Sequence, residues 1–169
     1  MEFEKMQEQH CSSAHELRDR LLRGELEPED FLDQLLDIDQ SVPTHEAAAE
    51  NTRVLEDERV KDLLVEKKLP FGYDNLLSLS AFHEGQIEAM NADDPTQAFE
   101  KSLAAAERTG DADWIAYARA TLAYFQKDAV GLEAAHEALP EGTNKHILGN
   151  MLTGLKSRGD IDYRADYKP

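Results

Sequence analysis

Residues 94–139 constrain the fold more than any other stretch. Asp94-Pro95 opens a helix-length segment that runs to Thr109, and Gly110-Asp111 breaks it. A second segment runs from Ala112 to Lys127, and Asp128 restarts the chain into a short third segment ending near Leu139-Pro140. Helix-length pieces joined by such short breaks fold back on one another as antiparallel neighbours. In the first piece Phe99, Leu103 and Ala106 share one stripe, beside a small-residue stripe of Ala98, Ser102 and Ala105. Small residues let a neighbouring helix axis come close, while large ones fill the gap between layers. The second piece is apolar nearly all round, from Trp114 through Tyr117 and Leu122 to Phe125, which is the pattern of a helix wedged between others. The third carries Val130, Leu132, Ala135 and Leu139.

The same three-and-four spacing recurs along the rest of the chain. Phe3, Met6, His10, Ala14, Leu17 and Leu21 mark a first helix ending at Gly24. Pro28 suits a first helical position and leads into Phe31, Leu32, Leu35, Leu36 and Ile38. Pro43-Thr44 makes a break, with Thr44 placed to cap the next helix. His45 to Leu69 carries two stripes, Ala47, Ala48, Val54 and Leu55, then Val60, Leu63 and Leu64. The charged Glu56-Asp57-Glu58-Arg59 joins them, so one long helix and two kinked ones both fit. Pro70-Phe71-Gly72-Tyr73 is the clearest loop and marks a possible sub-boundary near residues 70–73. Asp74 caps a helix with Leu76, Leu77, Ala81, Phe82, Ile87 and Met90, and Asn91-Ala92-Asp93 is its closing turn. Thr143 caps a last helix with Ile147, Leu148, Met151, Leu152 and Leu155, ended by Arg158-Gly159. Residues 160–169 read as an ordered arm or a loose tail. No segment alternates Val, Ile and Thr with period two, so the chain reads as one all-α domain over residues 1–169.

Residues 94–128 resemble tetratricopeptide-type helical repeats. The carrying residues are Asp94-Pro95-Thr96-Gln97-Ala98-Phe99, Ala105, Arg108-Thr109-Gly110-Asp111 and the run from Ala116 to Asp128. Ser102 stands where the family places a large aromatic, and Lys127-Asp128 fills a turn without its glycine. No period of about 34 residues runs through residues 1–70. The resemblance implies antiparallel helical hairpins stacked as a short tetratricopeptide-like array, roughly residues 74–139, with additional N- and C-terminal helices. It also implies a protein- or peptide-binding role without catalytic residues.

Charge narrows the partners. The 169-residue chain carries a formal net charge of −17. That opposes binding to nucleic-acid phosphates and to anionic lipid. Between Glu25 and Asp39 seven acidic side chains (Glu25, Glu27, Glu29, Asp30, Asp33, Asp37 and Asp39) follow one another with no Lys or Arg among them. The plain reading is a solvated face; the sharper one is a docking face for a basic partner. A lone cysteine, Cys11, forbids an intramolecular disulfide and fits a reducing cytoplasm. The first residues lack the basic and apolar regions of a secretory signal, and no apolar run is long enough to span a bilayer.

Few constellations carry chemistry. Cys11 and His15 lie four apart near His10 and offer at most two ligands from one helix. Glu133-Ala134-Ala135-His136 has the Glu-x-x-His spacing of di-iron bundles, without a second copy. No phosphate-binding Gly-rich loop or nucleophile elbow occurs. Arg158-Gly159-Asp160 reads as a helix end with glycine at the stop.

The sequence therefore points to a cytoplasmic, non-catalytic protein-interaction module with no cofactor and no metal. Its partner is a basic or amphipathic protein segment, with neither nucleic acid nor membrane involved and a homodimer left open. The expected binding residues are the aromatics Phe82, Trp114, Tyr117 and Tyr124, lining a groove, with Asp30, Asp33 and Asp37 on the acidic face. The rivals are an inhibitor or immunity-type protein that covers a basic active site, and a small helix-bundle metal protein using His10, Cys11, His15, Glu133 and His136.

Overall fold

Helix follows helix along the chain, and several of the breaks are set by a glycine or by a capping aspartate. In the computed structural model, which describes residues 13–41 and 45–169, every regular element among the described residues is helical. Helix α1 covers residues 13–22 and buries Ala14, Leu17 and Leu21. It is followed by α2 (Pro28–Ser41), α3 (His45–Glu56), α4 (Glu58–Val65), α5 (Tyr73–Met90), α6 (Thr96–Thr109), α7 (Ala112–Phe125), α8 (Ala129–Ala138), α9 (Thr143–Arg158) and the short α10 (Tyr163–Asp166). Phe3, Met6, His10, Cys11 and Pro43-Thr44 lie outside the described residues.

The stop signals act through local chemistry. Gly110 and Gly159 end α6 and α9 with φ of 75° and 70°, the left-handed conformation that costs glycine nothing. Asp111 and Asp128 cap α7 and α8 by accepting the backbone N–H of Trp114 and Gly131. The stretch after His45 is two helices, because Asp57 leaves the helical conformation and caps α4 by accepting from Arg59 N. At α9 the cap position belongs to Gly142, and Thr143 is the first helical residue instead of the cap.

The chain divides into two compact units, Met1–Ile87 and Glu88–Pro169, so the division falls within α5 and not at the Pro70–Tyr73 loop. In the first unit α2 buries Phe31, Leu32 and Leu35, α3 buries Ala47, Ala48, Val54 and Leu55, and α5 buries Leu76, Leu77, Ala81 and Phe82. Tyr73 OH donates to Leu55 O at 2.8 Å and ties the start of α5 to the end of α3. Leu63, expected in the core stripe of α4, is exposed.

The second unit is a run of packed hairpins. Helix α7 packs on α6, α8 and α9, α8 packs on α9, and α10 packs on α9. The small stripe of α6, Ala98, Ser102 and Ala105, is buried. Phe99 stacks on Phe125 at 5.1 Å between ring centres, and Glu107 receives Arg119 at 2.9 Å across the same hairpin. Lys156 meets Glu133 at 2.6 Å between α9 and α8. Val130, expected to pack, is 79% exposed, and Leu132 takes the core position of α8.

Candidate functional site

Two surfaces hold the residues singled out by sequence, one in each unit. On α2, Asp30, Asp33 and Asp37 recur every three or four residues and share one face of the helix, opposite buried Phe31, Leu32 and Leu35. All three are exposed, and none forms an ion pair with any described residue. Glu25 does not belong to this open row, since Arg23 clamps it through two hydrogen bonds of 2.7 and 2.9 Å. Asp39 points inward. Its side chain is fully buried, and Oδ2 lies 2.6 Å from His83 Nδ1 on α5. The acidic run thus splits into an outward face and one interior carboxylate, whose second oxygen is buried and takes no hydrogen bond from the described residues.

The aromatic residues expected to line a groove are largely covered. Phe82 is buried in the first unit. In the second unit Trp114 is half-buried and lies 5.8 Å from Tyr117, while Tyr117 and Tyr124 are buried. Residues 160–169 provide part of the cover over Tyr117 and Tyr124. Tyr124 OH donates to Asp166 Oδ2 at 2.7 Å and accepts from Asp162 N at 2.9 Å. The Arg158 guanidinium pairs with the same Asp166 oxygen. Tyr163 packs 5.3 Å from Phe125 and 5.0 Å from Tyr167, and Tyr167 hydrogen-bonds to the Tyr117 phenol.

The electrostatics follow from that cover. Burial pushes the Tyr117 phenol well above its ordinary value, and its Tyr167 neighbour pushes it further. Burial also raises Tyr124, with the hydrogen bond to Asp166 adding to the shift. Both rings therefore stay protonated and act as hydrogen-bonding groups.

Beside this arm an open cleft of about 560 Å³ lies between the Ala89–Thr96 turn and Ile161–Arg164. Asp93, Asp94 and Asp162 line it together with Phe125. Thr96 donates to Asp94 through its hydroxyl and its backbone N–H, which holds the Asp94 carboxyl below its usual range. The one basic residue of the cleft, Arg164, spends its Nε–H on Met90 O at 2.6 Å and pairs with none of the three carboxylates.

Of the residues weighed for metal binding, His10 and Cys11 lie outside the described residues, and the other three have neighbours within the fold. His15 Nε2 lies 2.8 Å from Glu50 Oε2, Glu133 holds Lys156, and His136 packs against Gly149. Among the described residues no three His, Cys, Asp or Glu side chains converge to hold an ion. Nor is any described helix long and apolar enough to cross a membrane. Comparisons of the chain with protein families, with curated proteins and with solved structures found no match.

Sequence reasoning missed the participation of Tyr163, Asp166, Tyr167 and Gly154. The tyrosines of the arm were visible as residues, but their partners lie a long way back in the chain, and no local pattern points to them.

Proposed function

We propose that this protein is a non-catalytic, tetratricopeptide-like interaction module that docks a basic or amphipathic segment of another protein. The observation that carries this reading is the row of Asp30, Asp33 and Asp37 on one exposed face of α2, without a cationic partner among the described residues. Like charges three and four apart on a helix destabilise it by about 0.2–0.5 kcal/mol per pair. A docked cationic segment relieves that repulsion, and the net charge of −17 draws such a segment in from a distance. The carboxylates at the mouth of the cleft beside α10 fit the same sign of partner. A single cysteine suits a reducing compartment, where the module would meet cytoplasmic partners.

Binding of a synthetic Lys/Leu amphipathic helical peptide, followed by calorimetry at low and high salt, tests the reading. Affinity that falls steeply as salt rises agrees with carboxylate steering. Affinity that does not change with salt removes the electrostatic face from the account.

A further inference from the structure

The chain displays, in its own last residues, a peptide seated on the second unit. Helix α10 is one turn of four residues. A helix that short has no stability of its own in water, since nucleation costs more than one turn returns. Its conformation is therefore imposed by the surface beneath it, as in coupled folding and binding of a peptide. Three side chains at positions i, i+3 and i+4 make the engagement, the spacing by which helical motifs are read in grooves. Tyr163 inserts its ring beside Phe125 and Tyr124. Asp166 takes the Tyr124 hydroxyl and the Arg158 guanidinium. Tyr167 closes over Tyr163 and bonds to Tyr117.

The surface is shaped for this carboxylate. A Cβ at Gly154 would stand 2.1–2.4 Å from the carboxylate atoms of Asp166, so any other residue there requires the carboxylate to shift from its seat. The arm leaves α9 through Gly159, whose positive φ turns the chain back on itself.

We propose that the α7–α9 face is a recognition site for a short helical-turn motif, aromatic-x-x-Asp-Tyr. The chain's own Tyr163–Tyr167 holds this site in cis, and the same motif on another polypeptide can take it when the arm lifts. This site is separate from the α2 face and stands or falls independently of it. The tethered arm competes at an effective concentration of the order of millimolar, so the intact chain resists occupation in trans. A partner segment therefore succeeds where it binds more tightly than the arm or where the arm is weakened.

The test uses the full-length chain and a labelled peptide of residues 161–169, with binding read by fluorescence anisotropy. In the Y163A/Y167A variant the arm loses its two aromatic anchors and keeps only Asp166, while the surface keeps all its groups. The proposal expects this variant to bind the peptide at least about tenfold more tightly than the wild-type chain does, because the tethered competitor is weakened. Adding Gly154→Ala to it should abolish binding, as should Asp166→Ala in the peptide. A folded Y163A/Y167A chain that does not bind the peptide overturns the proposal, as does equal binding with and without Gly154→Ala. If that variant does not fold, hydrogen exchange on the wild-type chain decides instead. The Asp166 and Tyr167 amides should exchange at least about a hundredfold faster than the α7 amides, through local opening. Exchange of both at the global unfolding rate means the arm never lifts, and the proposal fails.

Discussion

The carboxylate of Asp166 rests directly on the bare Cα of Gly154: a Cβ at residue 154 would lie 2.1 Å from Asp166 Oδ1. Inside a helix Gly→Ala ordinarily stabilises by about 1 kcal/mol. Here the sign reverses, because the added methyl expels a buried carboxylate that Tyr124 and Arg158 both hold. Gly154→Ala should destabilise the second unit by about 1–3 kcal/mol. Urea denaturation measures this. A stability gain would mean that the arm does not sit where the structure has it.

The second prediction concerns the interior pair of the first unit. Asp39 has a fully buried side chain, and His83 Nδ1 is 2.6 Å from its Oδ2. Removing only the imidazole, as in His83→Leu, leaves a buried carboxylate without its partner and should cost about 3–5 kcal/mol. Replacing both, as Asp39→Leu with His83→Leu, should recover most of that loss, since a packed apolar pair costs no desolvation. Chemical denaturation of the two single variants and the double variant closes the cycle. Additive losses would show that the two side chains do not act as a pair.

Alkaline stability offers a third test. Tyr117 and Tyr124 hold their protons more tightly in the fold than in the unfolded chain, where a phenol ionises near about pH 10. The unfolded state therefore loses these protons first. Stability should be level below about pH 10 and should fall as pH rises beyond it, by up to about 1.4 kcal/mol per pH unit for each phenol. Tyr117→Phe should make that fall shallower. An identical slope in wild type and Tyr117→Phe would contradict the assignment.

Among the described residues two that are not glycine adopt the left-handed conformation, Ala92 with φ of 64° after α5 and Lys127 with φ of 57° after α7. Glycine there removes the clash between Cβ and the carbonyl, although it also loosens the unfolded chain. Ala92→Gly should stabilise by about 0.5–1 kcal/mol. Lys127→Gly should gain less, because it gives up the exposed pair with Asp160 at 2.8 Å. Thermal melts of the two variants order these effects. A loss of stability in Ala92→Gly would contradict the strain assigned to that turn.

Helical periodicity made most of the architecture readable in advance. Gly110, Gly159 and Asp111 announce helix ends through their own backbone or side-chain chemistry, and the stripe of Phe99 with Ala98, Ser102 and Ala105 announces a close neighbour. The Lys127-Asp128 turn, expected to lack a glycine, places Lys127 in the left-handed conformation. What could not be read is set by distant partners. Asp39 falls four residues after Leu35 and seven after Leu32, on the buried stripe of α2, while Asp37 falls on the opposite face; what the local pattern does not give is its partner His83, 44 residues further on. Val130 looks like a core residue because it is apolar, but it lies two residues from buried Leu132, about 200° around α8, and is exposed. Tyr117 and Tyr124 look like a groove until residues 162–167 are laid over them, and that pairing spans 42 residues for Tyr124 and Asp166.

The α2 face is tested most directly by two charge-reversal variants with the same change in net charge. One carries Asp30→Lys, Asp33→Lys and Asp37→Lys; the other carries Glu100→Lys, Asp113→Lys and Glu137→Lys, all exposed positions of the second unit. Affinity for the Lys/Leu amphipathic peptide is measured for both by calorimetry at one salt concentration. The account predicts that the α2 variant loses at least about tenfold in affinity, roughly 1.4 kcal/mol, while the second variant loses far less. Equal losses in the two variants would show that net charge alone attracts the peptide, and that the carboxylates of α2 are no more than a solvated face.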